Sequence, residues 1–264
     1  MNVVKFPDEN MYGHTKKLIF IKKQINNFLD SCQHNINVLD FGCGNGSAVT
    51  QYLRDDRIKL YGLDIHPESL NYAAEHFTNK NTFFINKVPT DILFDIIIYS
   101  DVLEHVIDPL NIIKSQSKYL KKNGMIICSV PNGYGPFEIE SKLDHYFHLT
   151  EFTRNIIRIK NNFFGIKADY IKSEIVKEIP YNIKSGHIQC FTKRSFLSLL
   201  QRAGYRVITF NKGAFLGAPF SIEFFLNRPS IIKINAKIAD YLPIFAVSMW
   251  YLTAKKDIFT DNNK

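Results

Sequence analysis

The stretch Val38-Leu39-Asp40-Phe41-Gly42-Cys43-Gly44-Asn45-Gly46 decides the fold. It continues a short apolar run, Ile36–Phe41, of the kind that forms a parallel strand buried on both faces. The run stops at glycines spaced G-x-G-x-G. Glycine at such a strand-to-helix bend lets the backbone turn sharply and approach a ligand with no Cβ in the way. The spacing is not the G-x-G-x-x-G of dinucleotide folds, whose third glycine position is Ser47 here. That argues against a nicotinamide-dependent oxidoreductase. Asp40, at the strand's end, puts a carboxylate beside the loop, which suits a ligand carrying an ammonium group better than one carrying a pyrophosphate. A second acid, Asp64, ends the next strand in Tyr61-Gly62-Leu63-Asp64-Ile65. A carboxylate there can accept both hydroxyls of a ribose.

Outward from this motif the pattern alternates. Residues 15–31 predict an amphipathic helix, with Leu18, Ile19, Ile21, Ile25, Phe28 and Leu29 at helical spacing and Lys16, Lys17, Lys22 and Lys23 facing out. Helices are expected at 47–53, 68–77 and 109–120, the last closed by Lys121, Lys122 and Gly124. Strands are expected at 60–63, 82–85, 95–99 and 125–130, the last stopped by Pro131. Short connections of this kind demand right-handed crossovers and a parallel sheet with helices on both faces. Residues 132–185, rich in aromatics, Asn and Lys, break the rhythm and read as a lid over the C-terminal edge of the sheet. The rhythm resumes with a helix at 192–203, capped by Thr192 and ended by Gly204, and a strand at 205–210. An apolar insertion, 213–243, precedes a last strand at 247–254. The expectation is a single Rossmann-like α/β domain over 1–264, its seven-stranded sheet mostly parallel. It divides into an N-terminal helical segment (1–35), a cofactor-binding half (36–131), the lid (132–185) and a C-terminal half of the sheet (186–256).

The glycine loop, Asp64, Phe94-Asp95 opening the fourth strand, and Ser100-Asp101-Val102-Leu103-Glu104-His105-Val106 after it resemble the class I S-adenosylmethionine-dependent methyltransferases. Gly124 before the fifth strand and Ser129-Val130-Pro131-Asn132 closing it extend the resemblance. The Asp-x-Leu-Glu-His wording, with His187-Ile188-Gln189 and Phe191-Thr192 later, is most similar to the subgroup of ubiquinone-pathway O-methyltransferases and bacterial glycan-modifying methyltransferases. The resemblance implies S-adenosylmethionine as cofactor. Asp40, Gly42, Gly44 and Gly46 would surround its methionine portion, Asp64 would hold the ribose, and Ile65 would pack on the adenine. Ser100 and Asp101 would line the sulfur that carries the methyl group. Members often place an acid after the third strand to read the adenine amino group; Asn86-Lys87-Val88 stands there instead. The implied reaction is methylation, on oxygen first, of a small, lipid-linked or glycosylated acceptor. A binding module that keeps the cofactor pocket without catalysis is the alternative.

Among the histidines, His105 follows the fourth strand on a helix, near where the methyl group should point. It is either the base that takes a hydroxyl proton or a ring that bonds backbone and positions the loop. Glu104 is its partner or a helix-face acid. Tyr134, Phe137 and Glu138 are expected on the floor of the acceptor pocket. His145 and His148, three apart on a helix, read as lining of that pocket or as a metal pair, with lining preferred. Tyr12 and His14 either close over the cofactor or belong to a free terminus. No metal is required, and the four cysteines are too scattered for a structural zinc site.

With 45% hydrophobic residues the 264-residue chain is globular, not disordered. The net charge of +8 is uneven: residues 1–153 carry −3 and residues 154–264 carry +11. This is a solvated basic surface or a field for an anionic partner, with phospholipid or a phosphorylated small molecule ahead of nucleic acid. In 213–243, Phe215, Leu216, Phe220, Ile222, Phe224, Phe225 and Leu226 precede a helix capped by Ser230 in which Ile231, Ile234 and Ile238 align. That stripe either packs on the sheet or a second subunit, or lies at an anionic membrane surface. The expected setting is a reducing cytoplasm, with peripheral attachment at the inner face of the membrane as a variant.

Overall fold

The computed structural model describes residues 5–10, 12–163, 186–226 and 228–257. Seven strands, β1 (Ile36–Phe41), β2 (Ile58–Leu63), β3 (Thr82–Ile85), β4 (Phe94–Ser100), β5 (Leu120–Pro131), β6 (Tyr205–Lys212) and β7 (Met249–Lys256), form one sheet in the order β3-β2-β1-β4-β5-β7-β6. The first five pair in parallel, and β7 lies antiparallel between β5 and β6. The α-helices among the described residues are α1 (His14–Asp30), α2 (Pro67–Phe77), α3 (Pro109–Ser117), α4 (Pro136–Phe147), α5 (Leu149–Phe163), α6 (Lys193–Arg202), α7 (Pro219–Phe224) and α8 (Pro229–Ile238).

Strand β4 shows how the sheet comes to be covered on both sides. Side chains alternate along a strand. Ile96 and Ile98 therefore meet Leu18, Ile21 and Ile25 of α1, while Ile97 and Tyr99 join Ile113 of α3 and Phe196 and Leu200 of α6. All of these are buried, each contributing about 1.5–3 kcal/mol of hydrophobic stabilisation as an upper bound. Thr192 and Ser195 form a capping box at the start of α6, and Gly204, at φ +83°, ends the segment.

Several boundaries differ from the sequence reading, for identifiable reasons. Residues 47–53 hold only a 3-10 turn, Thr50–Tyr52. The segment is short, Val49 and Thr50 are β-branched, and the Thr50 hydroxyl is drawn to Asp40 at 2.6 Å. Helix α3 ends at Ser117, and Lys121, Lys122 and Gly124 belong to β5. The Lys121 ammonium holds that strand to Asp95 of β4 at 2.8 and 3.0 Å. Helix α8 begins at Pro229 behind Arg228, so Ser230 is not its cap. Its inward face is Asn235, Ala236 and Ala239; Ile234 and Ile238 are exposed. The Asn235 amide fixes this rotation by bonding both the N–H and the carbonyl of Leu216, at 2.9 and 3.0 Å. The isoleucine stripe is thus not core.

Of the predicted lid, α4 and α5 are described, while 164–185 lies outside the described residues. Helix α7 packs against both, and the Glu140 carboxylate of α4 accepts from Ser221 of α7.

Candidate cofactor cleft and acceptor pocket

The register sets Asp40 level with Gly62 of β2 and Ile98 of β4, so the C-terminal ends of three parallel strands converge. Gly42 (φ +76°) and Gly44 (φ +56°) bend the chain there through the left-handed region. A Cβ on Gly42 would lie 2.5 Å from Val102, so this glycine lets the loop close on the segment after β4. A Cβ on Gly44 would meet nothing within 4 Å; its bare face opens on the cleft. The Gly44 N–H donates to Asp64 Oδ2 at 2.7 Å, and the His66 N–H donates to Asp64 Oδ1 at 2.8 Å. One carboxylate therefore ties the glycine loop to the turn after β2.

These groups line a cleft of about 270 Å³. Ile65 stands at its lip, 86% exposed, with Val102, Val106 and Ile112 also lining it. An apolar slot beside a carboxylate and a bare glycine face fits a nucleoside with a charged tail. Asn86 and Lys87 line a smaller adjoining cavity that shares Phe41 and Leu63 with the cleft. Asp40 and Gly46 do not line the cleft. Asp40 is buried beneath the loop, where desolvation raises its pKa to about 6 against the opposing hydrogen bond from Thr50. Gly46 packs against Phe77 and Phe84.

A second cavity, of about 400 Å³, adjoins the cleft; Tyr12, His14, Glu104, Phe137, His187 and Leu216 are in its walls. Asp101 and His105 line both cavities. Asp101 sits at φ +56°, immediately after β4. Its carboxylate pairs with Lys17 of α1 and accepts from Ser129 Oγ at 2.6 Å. Burial works to raise its pKa, but the adjacent ammonium, with these two hydrogen bonds, holds it below the usual carboxylate value. Ser100 Oγ lies 3.2 Å from Ser129 Oγ, one contact behind Asp101. His14 is pushed down to about 4, by burial first and then by Lys17, and is neutral near pH 7.

His105 lies in a 3-10 turn, Leu103–His105, not within a longer helix. Its Nδ1 is 3.1 Å from the Gly186 carbonyl. His187 stands beside it, ring centres 5.0 Å apart, with Nδ1 2.9 Å from Glu138 Oε1. Glu104 is 1% exposed, and its Oε2 has no hydrogen-bond partner among the described residues. Burial, then the nearby Asp101 charge, pushes its pKa well above the ordinary range.

The structure brings Phe137 to this pocket; Glu138 stands behind His187 and not in the wall, and Tyr134, His145 and His148 do not line it. Tyr134 is exposed outside the cavity. His145 is exposed in the last turn of α4, and His148 (φ +48°) ends that helix, so the two do not share a helical face. Lys17, expected to face out, is buried. It falls four residues before Ile21 and one before Leu18 on the inward stripe, a place where a lysine needs an acid to meet. His187 enters the sequence reading only as part of the resemblance and with no place in the site, because nothing in the chain's order joins it to His105.

A sheet of this strand order, with one antiparallel strand and a ligand loop at its C-terminal edge, is the class I methyltransferase architecture. Residues 15–209 match the family described as "Methyltransferase domain", and the chain belongs to that family, for which S-adenosylmethionine is the cofactor. It is 32% identical over 103 residues to a ubiquinone biosynthesis O-methyltransferase of Vibrio cholerae, covering 36% of this chain and 42% of that protein. The chain thus spans less than half the length of the curated relatives it matches. The plantazolicin methyltransferase BpumL, solved with a monoazolic desmethylPZN analog and SAH, shares the fold at TM-score 0.52 and 17% identity, over 92% of this chain and 84% of that one. The [4+2]-cyclase SpnF does so at TM-score 0.51 and 13% identity, over 90% and 82%. A methyltransferase and a cyclase on one fold leave the reaction to be argued from the site.

Proposed function

We propose that this chain transfers the methyl group of S-adenosylmethionine to a hydroxyl oxygen of a small, lipid-linked or glycosylated acceptor. The observation that carries this reading is the shared wall: Asp101 and His105 face both the cofactor cleft and the larger cavity. The cofactor supplies a methyl sulfonium whose departure, as a neutral thioether, lets the acceptor oxygen form its bond to carbon in line. The chain supplies alignment and dryness. Asp64 and the bare face of Gly44 seat the nucleoside, Asp101 is fixed by Lys17 and Ser129, and Phe137 and Leu216 give the acceptor an apolar bed. His105, held through Nδ1 by the Gly186 carbonyl, keeps Nε2 for the acceptor hydroxyl, whose proton must leave as the ether forms. The O-methyltransferase name of the Vibrio relative supports oxygen as the acceptor atom. Methyl-labelled S-adenosylmethionine incubated with hydroxyl-bearing lipids and glycans is expected to give an acid- and base-stable methyl ether. His105→Ala should lower kcat about 100-fold or more and leave adenosylhomocysteine affinity unchanged. Unaltered turnover in this variant would remove His105 from the mechanism.

A second reading concerns location. Tyr241 and Phe245 are 89% and 75% exposed, Ile234 and Ile238 are exposed on α8, and Lys233 and Lys237 are exposed beside them. Together with the +11 balance of residues 154–264, this supports attachment to an anionic membrane surface. No helix among the described residues is long and apolar enough to cross a membrane. Flotation with anionic vesicles is expected, weakened by salt and by Ile234→Glu with Tyr241→Glu. Vesicle binding indifferent to both would discard this reading.

A further inference from the structure

Glu104, His105 and His187 each offer a ligand atom within 4.8 Å of the other two. From this cluster we infer a divalent-cation site in the wall of the acceptor pocket, with Glu104, His105 and His187 as its protein ligands and the acceptor hydroxyl as a further one. The inference rests on the hydroxyl-methylation reading and deepens it, giving the means by which the pocket activates that hydroxyl.

The ring environments favour metal over a simple hydrogen-bonded cluster. His187 Nδ1 is paired with the Glu138 carboxylate at 2.9 Å, and His105 Nδ1 with the Gly186 carbonyl at 3.1 Å. Each pairing places the ring proton on Nδ1 and leaves the Nε2 lone pair to bind. A carboxylate or a backbone carbonyl behind each ring is the usual support of a metal-bound histidine. The third group supplies an independent observation. Glu104 is 1% exposed, lines the cavity, and has Oε2 without a partner among the described residues. An unmatched buried carboxyl oxygen is costly unless a proton or a cation meets it.

The donor set also indicates which ion. Two imidazoles and one carboxylate suit a first-row cation such as Zn²⁺, Fe²⁺ or Co²⁺ better than Mg²⁺, and three protein ligands leave open positions for a substrate oxygen. Metal–ligand bonds of about 2.0–2.2 Å put neighbouring donors ~3–3.5 Å apart, so groups that lie within 4.8 Å of one another must draw together by up to about 1.5 Å. His187 is exposed and His105 half-buried, and rotation of these rings can supply it. The cation would act as a Lewis acid. The hydroxyl proton leaves to solvent as the oxygen is ligated. An oxygen lone pair then forms the O–C bond, and the electrons of the breaking S–C bond stay on sulfur. With the cation bound, His105 Nε2 is a ligand, and the hydroxyl that this nitrogen would otherwise meet directly is held by the metal instead.

The test uses the full chain, freed of metal by dialysis against a chelator and titrated with Co²⁺, whose visible ligand-field absorption reports imidazole and carboxylate ligation. One saturable site per chain is expected. Glu138→Gln, behind His187, should weaken it about 10- to 100-fold, and His187→Ala and Glu104→Gln should weaken it further. His187 is exposed, so its variant tests the site even where Glu104→Gln folds poorly. Adenosylhomocysteine affinity should stay within twofold throughout, and chelation should abolish methyl transfer, with Co²⁺ or Zn²⁺ restoring it. The inference is overturned by the absence of a saturable Co²⁺ site, or by one unchanged in His187→Ala. Co²⁺ binding that is lost in His187→Ala, with no hydroxyl acceptor methylated, would uphold the site and sink the O-methylation reading instead. Methyl ether formation indifferent to chelation would do the reverse.

Discussion

Replacing Asp64 with alanine is expected to weaken adenosylhomocysteine binding about 100-fold, roughly 2.7 kcal/mol. Two effects combine. The proposed ribose contact is charge-assisted, and such hydrogen bonds contribute about 1.5–3 kcal/mol. The same carboxylate accepts from the Gly44 and His66 amides, so its removal also loosens the loop that the ligand rests on. Both oxygens retain a lone pair beyond these internal bonds, which is what lets one side chain organise the loop and also receive a ligand. Asp64→Asn keeps one acceptor oxygen and should fall between the wild type and alanine. Calorimetric titration with adenosylhomocysteine decides it, and an affinity within threefold of wild type for Asp64→Ala would refute the assignment.

Lys17→Met should destabilise the fold by about 1–3 kcal/mol, because Lys17 is buried and its loss leaves the half-buried Asp101 carboxylate without its ammonium. Methionine fills the space of the aliphatic stem, so the loss reports the charge and not a cavity. The pH dependence identifies the cause. In the wild type the carboxyl of Asp101 has a native pKa below its unfolded value. Its contribution is therefore fully present above about pH 4 and is lost as pH falls through the lowered native pKa. In Lys17→Met that contribution disappears, so the two proteins should differ most near neutrality and converge in acid. Urea unfolding across pH 3–8 measures this. The double variant Lys17→Met, Asp101→Asn should recover much of the loss; strict additivity of the two changes would show that the pair does not act as a unit.

The sheet was legible because its evidence is local. Ile36–Phe41 and Thr82–Ile85 coincide with the strands read from their apolar runs, and Thr192 caps α6 as its position suggests. The candidate cleft was legible for the same reason: Gly42, Gly44, Asp64 and Ile65, which line it, belong to two short segments whose pairing follows from the fold. The acceptor side was not. His187 reaches His105 only because Ile188 and Gln189 donate their N–H groups to the Glu104 carbonyl, at 2.8 and 2.9 Å, a tertiary contact with no periodic signature. Lys17 was misread because charge was weighed above helical phase. His145 and His148 failed for the opposite reason: regular spacing was trusted through a residue that leaves the helix.

The two ends of the proposed reaction share Asp101 and His105 and otherwise draw on different parts of the chain. The residues that would grip the donor lie from β1 to α3, whereas the surroundings proposed for the acceptor draw also on Tyr12 and His14 before the sheet begins and on Leu216, Gly217 and Ser248 in the excursion between β6 and β7. Such a division lets selection, or an engineer, exchange one connection and retarget the enzyme without disturbing its hold on a metabolite common to every cell.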